Sequence, residues 1–273
     1  VKLLHITKDT GLDYNSSKQS PRAYAIEVDH LSKSFKGKLE DVKAVNQISF
    51  GIERGEIFGL LGPNGAGKST LISMLTGILS PTSGNAYIGG HSIIDDLQPV
   101  KEMMSVCPQE PALYKFLSGM ANIEFFGKMY LMSDEQITRR AEELLRQLGL
   151  FDFKDRLVRA YSGGMLRQLS LIVSLISDPD ILFLDEPTVG MDPRNRRKVW
   201  DFLGNINSPE KTIILTTHYI EEAEALCNRV AIIDFGELLA LASPAELIKK
   251  YDVDNLEDVF MEITGRSIME GSY

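Results

Sequence analysis

Three short runs in this 273-residue chain carry side chains that do chemistry only at close quarters. The first, Gly62-Pro63-Asn64-Gly65-Ala66-Gly67-Lys68-Ser69-Thr70, matches GxxxxGK[ST]. Its glycines let the backbone bend until successive N–H groups face one anion, and a helix starting at its end adds positive potential. Lys68 is then placed for the β- and γ-phosphates of a nucleoside triphosphate, and the Ser69 hydroxyl for Mg²⁺. The second run, Ile181-Leu182-Phe183-Leu184-Asp185-Glu186, is an apolar strand ending in two carboxylates. In a parallel sheet that end lies at the edge where ligands collect. Asp185 fits the metal-holding role there, and Glu186 the general base that polarises an attacking water, a contribution of roughly 10²- to 10⁴-fold. The third run, Tyr161-Ser162-Gly163-Gly164-Met165, is another glycine turn, feeding a helix expected over 165–176. That helix can offer its N–H groups and dipole to a phosphate, or the turn can be a plain Ser162 helix cap.

The surrounding pattern supplies the elements these runs need. Apolar alternation at Ile26, Val28 and Leu31, and again at Ile48, Phe50 and Ile52, predicts strands of a half-buried sheet. An apolar strand over 56–61 leads into the first glycine loop, and Leu71, Ile72, Leu75 and Ile78 give the helical spacing expected over 69–79. From about 112 to 178 the composition turns helical, with Ser133 and Gln136 spaced as a capping box that opens a helix over 134–148. Strand 181–184, helix 194–203, strand 212–217, helix 220–227 and strand 229–233 then alternate, which predicts a mainly parallel sheet covered by helices on both faces. Ser243, Pro244 and Glu246 mark a further helix start, and 256–263 a last amphipathic helix. Residues 1–24 read as a polar extension or linker and 266–273 as a tail.

Composition bounds the function. The chain holds 29 Lys and Arg against 38 Asp and Glu, a net charge of -9 that repels phosphate backbones, so nucleic acid is not an expected partner. Cys107 and Cys227 are the only cysteines and have no CxxC spacing, which gives no support to a disulfide framework or a zinc site and fits a reducing cytosolic setting. The longest apolar stretch, 169–176, falls short of the roughly 20 residues that span a bilayer. No basic region followed by an apolar segment opens the sequence, so a signal peptide is not expected.

Together, and in this order, the three runs resemble the ATP-binding cassette (ABC) ATPases, with Tyr161 to Met165 in the place of the family signature. The resemblance covers about residues 25–265. It implies an α/β fold with a phosphate-loop NTPase core, RecA-like and built on a mainly parallel sheet, joined by an antiparallel β subdomain and an inserted α-helical subdomain. It implies ATP and Mg²⁺ as ligands. It further implies that Phe35 stacks on adenine, Gln109 senses Mg²⁺ and γ-phosphate, Asp192 lies at a dimer contact and His218 is the switch histidine. Tyr161, Ser162, Gly163 and Gly164 would meet nucleotide held by a partner.

The implied partners are a second ABC ATPase domain, identical or paralogous, and a transmembrane permease subunit that holds the chain at the cytoplasmic face of a membrane. Tyr161 replaces the family's usual leucine and Met165 its usual glutamine, so no amide side chain is available at position 165. The YSGGM form, with Leu256-Glu257-Asp258-Val259-Phe260 near the end, is similar to the exporter branch that includes drug-export ATPases and their lipid-transporting relatives. A rival reading is a soluble ABC ATPase acting on DNA or ribosomes. DNA-clamping members insert a coiled coil between loop and signature, whereas only 94 positions separate Lys68 from Ser162, with no sustained heptad. A GTPase lacks support because no NKxD run is present.

Overall fold

The computed structural model describes residues 24–37, 40–265 and 267–268. In chain order the first elements are β1 (Tyr24–Phe35), β2 (Val42–Glu53), β3 (Ile57–Leu61), α1 (Lys68–Leu75), β4 (Ser83–Ile88), β5 (His91–Ser92), α2 (Leu97–Met103) and β6 (Met104–Cys107). There follow α3 (Gly119–Met129), α4 (Asp134–Gln147), α5 (Gly163–Leu175), β7 (Ile181–Asp185), α6 (Pro193–Ile206), β8 (Thr212–Thr217), α7 (Ile220–Leu226), β9 (Arg229–Asp234), β10 (Glu237–Ala242), α8 (Pro244–Tyr251) and α9 (Leu256–Thr264). Apart from Tyr24, the polar extension expected over 1–24 lies outside the described residues, as does most of the 266–273 tail.

Two sheets result. One is antiparallel, in the order β2-β1-β4-β5; the other runs β10-β9-β3-β8-β7-β6 and is parallel except for its edge strand β10. The central strands are buried on both faces, so their side chains alternate between two cores. Phe58, Leu60, Ile181, Phe183, Ile214, Ala231 and Ile233 face the antiparallel sheet and α1. Ile57, Leu61, Leu182, Leu184, Ile213, Leu215, Val230 and Ile232 face the layer that includes α5, α6 and α9. The Phe50 and Phe58 rings stack 5.3 Å apart and join the two sheets. Beside them Arg229 grips Glu56 with two bonds of 2.6 and 2.7 Å and donates to the Gly51 carbonyl.

Register decides what meets at the sheet edge. Leu61 pairs with Thr217, Asp185 with Thr216, and Cys107 with Leu184. Four strands therefore end level, and the residues that follow each of them emerge side by side: Gly62 after β3, the Gln109 segment after β6, Glu186 after β7 and His218 after β8.

Local signals set several helix limits. The Ser133–Gln136 capping box forms, and so does a second one at Ser243 and Glu246. The helix expected over 69–79 ends at Leu75 instead, because Thr76 bonds back to the Ile72 carbonyl and Gly77 turns left-handed (φ 70°). Ile78, counted in the helical spacing, is left 74% exposed. The helix expected from Met165 begins at Gly163, since Ser162 caps it by accepting from the Met165 N–H. Among the described residues no helix is long and apolar enough to cross a membrane.

Phe183, in the middle of β7, is fully buried between the parallel sheet and the antiparallel one. Phe183→Ala should therefore lower the unfolding free energy by about 3–5 kcal/mol in urea titrations. A loss under about 1 kcal/mol would contradict the packing described.

Candidate functional site

At the level strand ends lies a cavity of ≈ 330 Å³ lined by Ala44, Asn64, Gly65, Gly67, Lys68, Ser69, Thr70, Gln109 and Glu186. Its floor is the glycine loop. Gly67 sits at φ 104°, and a Cβ there would run into the Ala44 carbonyl; one at Gly62 would strike the Ile233 carbonyl. Only glycine lets this backbone lie so close to its neighbours. Pro63 and Ala66 are buried in the loop, whereas Asn64 and Gly65 stand open to solvent.

Lys68, the first residue of α1, is 5% exposed; its ammonium donates to the Gly62 and Pro63 carbonyls at 2.7 and 3.0 Å and lies 3.9 Å from Glu186. Burial pulls this group below the ordinary lysine value, although Glu186 and Asp185 oppose the shift. Ser69 donates to Asp185 at 3.1 Å, and the Thr216 hydroxyl donates to the same carboxylate oxygen at 2.5 Å. Thr216 also accepts from the Glu186 N–H at 3.0 Å, so one threonine at the end of β8 orients both acids.

Glu186 occupies a left-handed backbone position (φ 50°) and is 7% exposed. Both of its oxygens are engaged: the Gln109 amide donates to Oε2 at 3.2 Å, and His218 Nδ1 lies 3.1 Å from Oε1. Burial alone would push this carboxyl up. The bond and charge of His218, with the charges of Lys68 and Arg167, outweigh that and hold it below the usual carboxylate range. The set thus joins an anion cradle, a fixed cation, a hydroxyl–carboxylate pair and an ionised base. That combination suits transfer of a phosphoryl group to water.

The remaining sequence candidates lie elsewhere. Ser162, Gly163 and Gly164 form the first turn of α5 but are not among the cavity lining; Ser162 and Gly163 are exposed, and a Cβ added at either glycine would meet nothing. Tyr161 turns inward, 8% exposed, with its hydroxyl donating to the Phe153 carbonyl. Asp192 caps α6 on the surface, accepting from the Arg194 and Asn195 N–H groups. Phe35 ends β1 at 42% exposure under the Lys33 ammonium, also outside the cavity lining.

Sequence reasoning passed over Ala44, Thr216 and Arg167. Arg167, on α5, donates to the Gln109 carbonyl and so ties the glycine-turn helix to the cavity wall. Only Thr216 had a visible signal, its place directly before Thr217 and His218 at a strand end.

A family model described as ABC transporter matches residues 45–189. The chain is 39% identical over 231 residues to the linearmycin resistance ATP-binding protein LnrL of Bacillus subtilis, covering 85% of this chain and 73% of that protein. It is 41% identical over 224 residues to the human phospholipid-transporting ATPase ABCA3, where the match spans 82% of this chain and 13% of the human protein. Among solved structures, a dimeric ATP-binding cassette in a post-hydrolysis state bound to ADP and Pi superposes with a TM-score of 0.74 at 25% identity, over 80% of this chain and 98% of that one.

The depressed Glu186 carboxyl has a consequence for stability. A folded-state pKa below the unfolded one stabilises the fold above the ordinary carboxylate value of about 4.3, and the gain is lost as pH falls through the folded value. The unfolding free energy of the nucleotide-free chain should therefore rise with pH more steeply, between about pH 3 and pH 6, than that of Glu186→Gln. Urea titrations across that range decide it; parallel slopes would contradict the electrostatics described.

Proposed function

The chain belongs to the ABC transporter family of ATPases, and from that premise we propose that it hydrolyses ATP to drive export of a substrate through a separate transmembrane domain. The observation that carries the reading is the convergence of Lys68, Ser69, Asp185, Glu186, Gln109 and His218 at one sheet edge, with the Ser162 turn facing outward away from it.

The donor set fits Mg²⁺. Among the described residues no group of three His, Cys, Asp or Glu could hold a metal alone. This hard ion, however, needs only one or two carboxylates and completes its shell with other oxygens, phosphate and water. Ser69, Asp185 and the Gln109 side chain would hold it, and when bound it neutralises charge on the phosphates. Lys68 fixes the β- and γ-phosphates, and the backbone N–H groups of residues 65–69 cradle them. Glu186 accepts the proton of the attacking water, with His218 holding its carboxylate in place. Phe35 supports the adenine.

A second cassette, bound head to tail, contributes Ser162, Gly163 and Gly164 at the N-terminus of its α5, with Asp192 at the contact between the two. Closing on ATP and reopening after hydrolysis converts the chemistry into movement. The permease is received beside Gln109, where Tyr114, Phe116 and Phe125 are 50%, 80% and 39% exposed. Tyr114 meets Phe125 edge to face at 4.7 Å, and Phe125 meets the half-buried Phe126 at 5.4 Å. Such an exposed aromatic cluster is costly in water and suits a buried contact. This contact places the chain at the cytoplasmic face of a membrane, peripheral to it. The resistance and phospholipid-transport names of its relatives favour export of an amphipathic substrate.

Glu186→Gln should keep ATP affinity, accumulate an ATP-bound dimer in size-exclusion chromatography and lose roughly 10²-fold or more of kcat. Lys68→Ala should instead weaken ATP binding itself in calorimetry. Near-normal turnover by the first variant removes Glu186 from the base role, and undiminished affinity in the second removes the phosphate loop from binding.

A further inference from the structure

Outside the cavity lies a buried carboxylate that the chemistry above leaves unused. Glu222, on α7, is fully buried. Its Oε1 accepts two hydrogen bonds, from the Thr188 hydroxyl at 2.8 Å and from the Trp200 indole N–H at 2.9 Å. Its Oε2 is buried with no hydrogen-bond partner. Burial raises the pKa of this carboxyl, opposed by the Thr217, Thr188 and Trp200 groups and by the charge of Arg196. Such a group is poor material for stability, because one of its oxygens is buried with no hydrogen bond to offset the loss of water.

What distinguishes Glu222 is where its two donors come from. Thr188 lies two residues after Glu186, inside the series of turns closed by Val189 N–H to the Glu186 carbonyl and Met191 N–H to the Thr188 carbonyl, which ends at Asp192. Trp200 lies on α6, the helix that Asp192 caps. Glu222 itself follows His218 by one turn, its N–H bonded to the Tyr219 carbonyl. A single buried oxygen therefore joins the segment leaving the base, the helix that follows the Asp192 segment and the helix that follows the switch histidine.

We infer that Glu222 is a positioning residue that locks the 186–192 turn and the His218 segment into one unit, so that the Glu186–His218 contact and the Asp192 contact are set together. The inference rests on the roles given above to Glu186, His218 and Asp192. It requires the acceptor oxygen, not the charge, so the amide of glutamine satisfies it.

The test uses the full chain with Glu222→Leu, Glu222→Gln and Thr188→Val, measuring ATP affinity, KM, kcat and thermal unfolding. Glu222→Leu should lose roughly 10- to 100-fold of kcat, the scale of a small misplacement of reacting groups, with ATP affinity and KM within about twofold of wild type. Glu222→Gln should stay within about threefold of wild-type kcat, and it is the gap between the Gln and Leu variants, both of which fill the space, that a purely space-filling role does not predict. Thr188→Val should lower kcat in the same sense, and joining it to Glu222→Leu should add little further loss, because both remove one interaction. Should Glu222→Leu fail to fold, Thr188→Val with recovery in Thr188→Ser carries the same decision. Wild-type kcat in Glu222→Leu or in Thr188→Val, a Gln variant as slow as the Leu variant, or losses that multiply would overturn the inference while leaving the ATPase reading intact. Absence of wild-type hydrolysis would overturn both.

Discussion

Parallel pairing of β6, β7, β8 and β3 at matched length is the constraint from which the site follows. The cavity's groups come from segments far apart in sequence: Lys68 and Ser69 follow the glycine loop after β3, Asp185 and Glu186 lie at the end of β7, Gln109 is 77 residues from Glu186, and His218 a further 32. A one-residue slip of any of these strands would turn its alternating side chains to the opposite core, exchanging Phe183 for Leu184 or Leu60 for Leu61. Both cores are filled, so the register is held from two sides. Packing of apolar residues well away from any ligand thereby sets polar groups at distances of about 3 Å.

That edge carries opposed charges at short range. Lys68 is buried beside two acids, and Glu186 is ionised in spite of its burial because His218, Lys68 and Arg167 surround it. Removing any one partner leaves another charge uncompensated, the expensive case for buried ions. The Lys68 ammonium is meanwhile satisfied only by backbone carbonyls and a distant carboxylate oxygen. An arriving phosphate offers it a stronger, charge-assisted partner. The cavity is thus arranged so that an anion binds by replacing weaker internal contacts.

The parts legible in the sequence were those whose physics is local. The glycine loop, the Ser133 capping box, the helix start at Ser243 and the apolar run of β7 each depend on neighbours within a few residues. The family resemblance then supplied Gln109 and His218, which no local pattern identifies. The contacts that could not be read are those between distant segments. Ala44 confines Gly67 only because β2 crosses behind the loop, and Thr216 orients Asp185 only through strand pairing. Short α2 and β6 carried too few residues for any period to show. Tyr161 entered the nucleotide contacts through the resemblance alone, and its side chain directs its hydroxyl to the Phe153 carbonyl inside the helical region. Of that turn, Ser162 and Gly163 stand exposed and Gly164 is half-buried.

The open face of that turn bears on how two cassettes would cooperate. An α-helix N-terminus concentrates unpaired N–H groups and positive potential, and at α5 Ser162 satisfies the Met165 N–H through a single 3.3 Å bond. With no Cβ on Gly163 or Gly164 and nothing nearby to crowd one, an anion carried by another molecule could approach the backbone directly. Inside the chain the same helix is fastened to the cavity wall, since Arg167 lies one turn along and donates to the Gln109 carbonyl while its charge acts on Glu186. Arg167 thus connects the first turns of α5 directly to Gln109 and, through its charge, to Glu186 of the same chain. In a head-to-tail pair, phosphate bound in one cavity would in this way bear on the base of the other, and the two sites would not be independent even though no residue of either chain belongs to both.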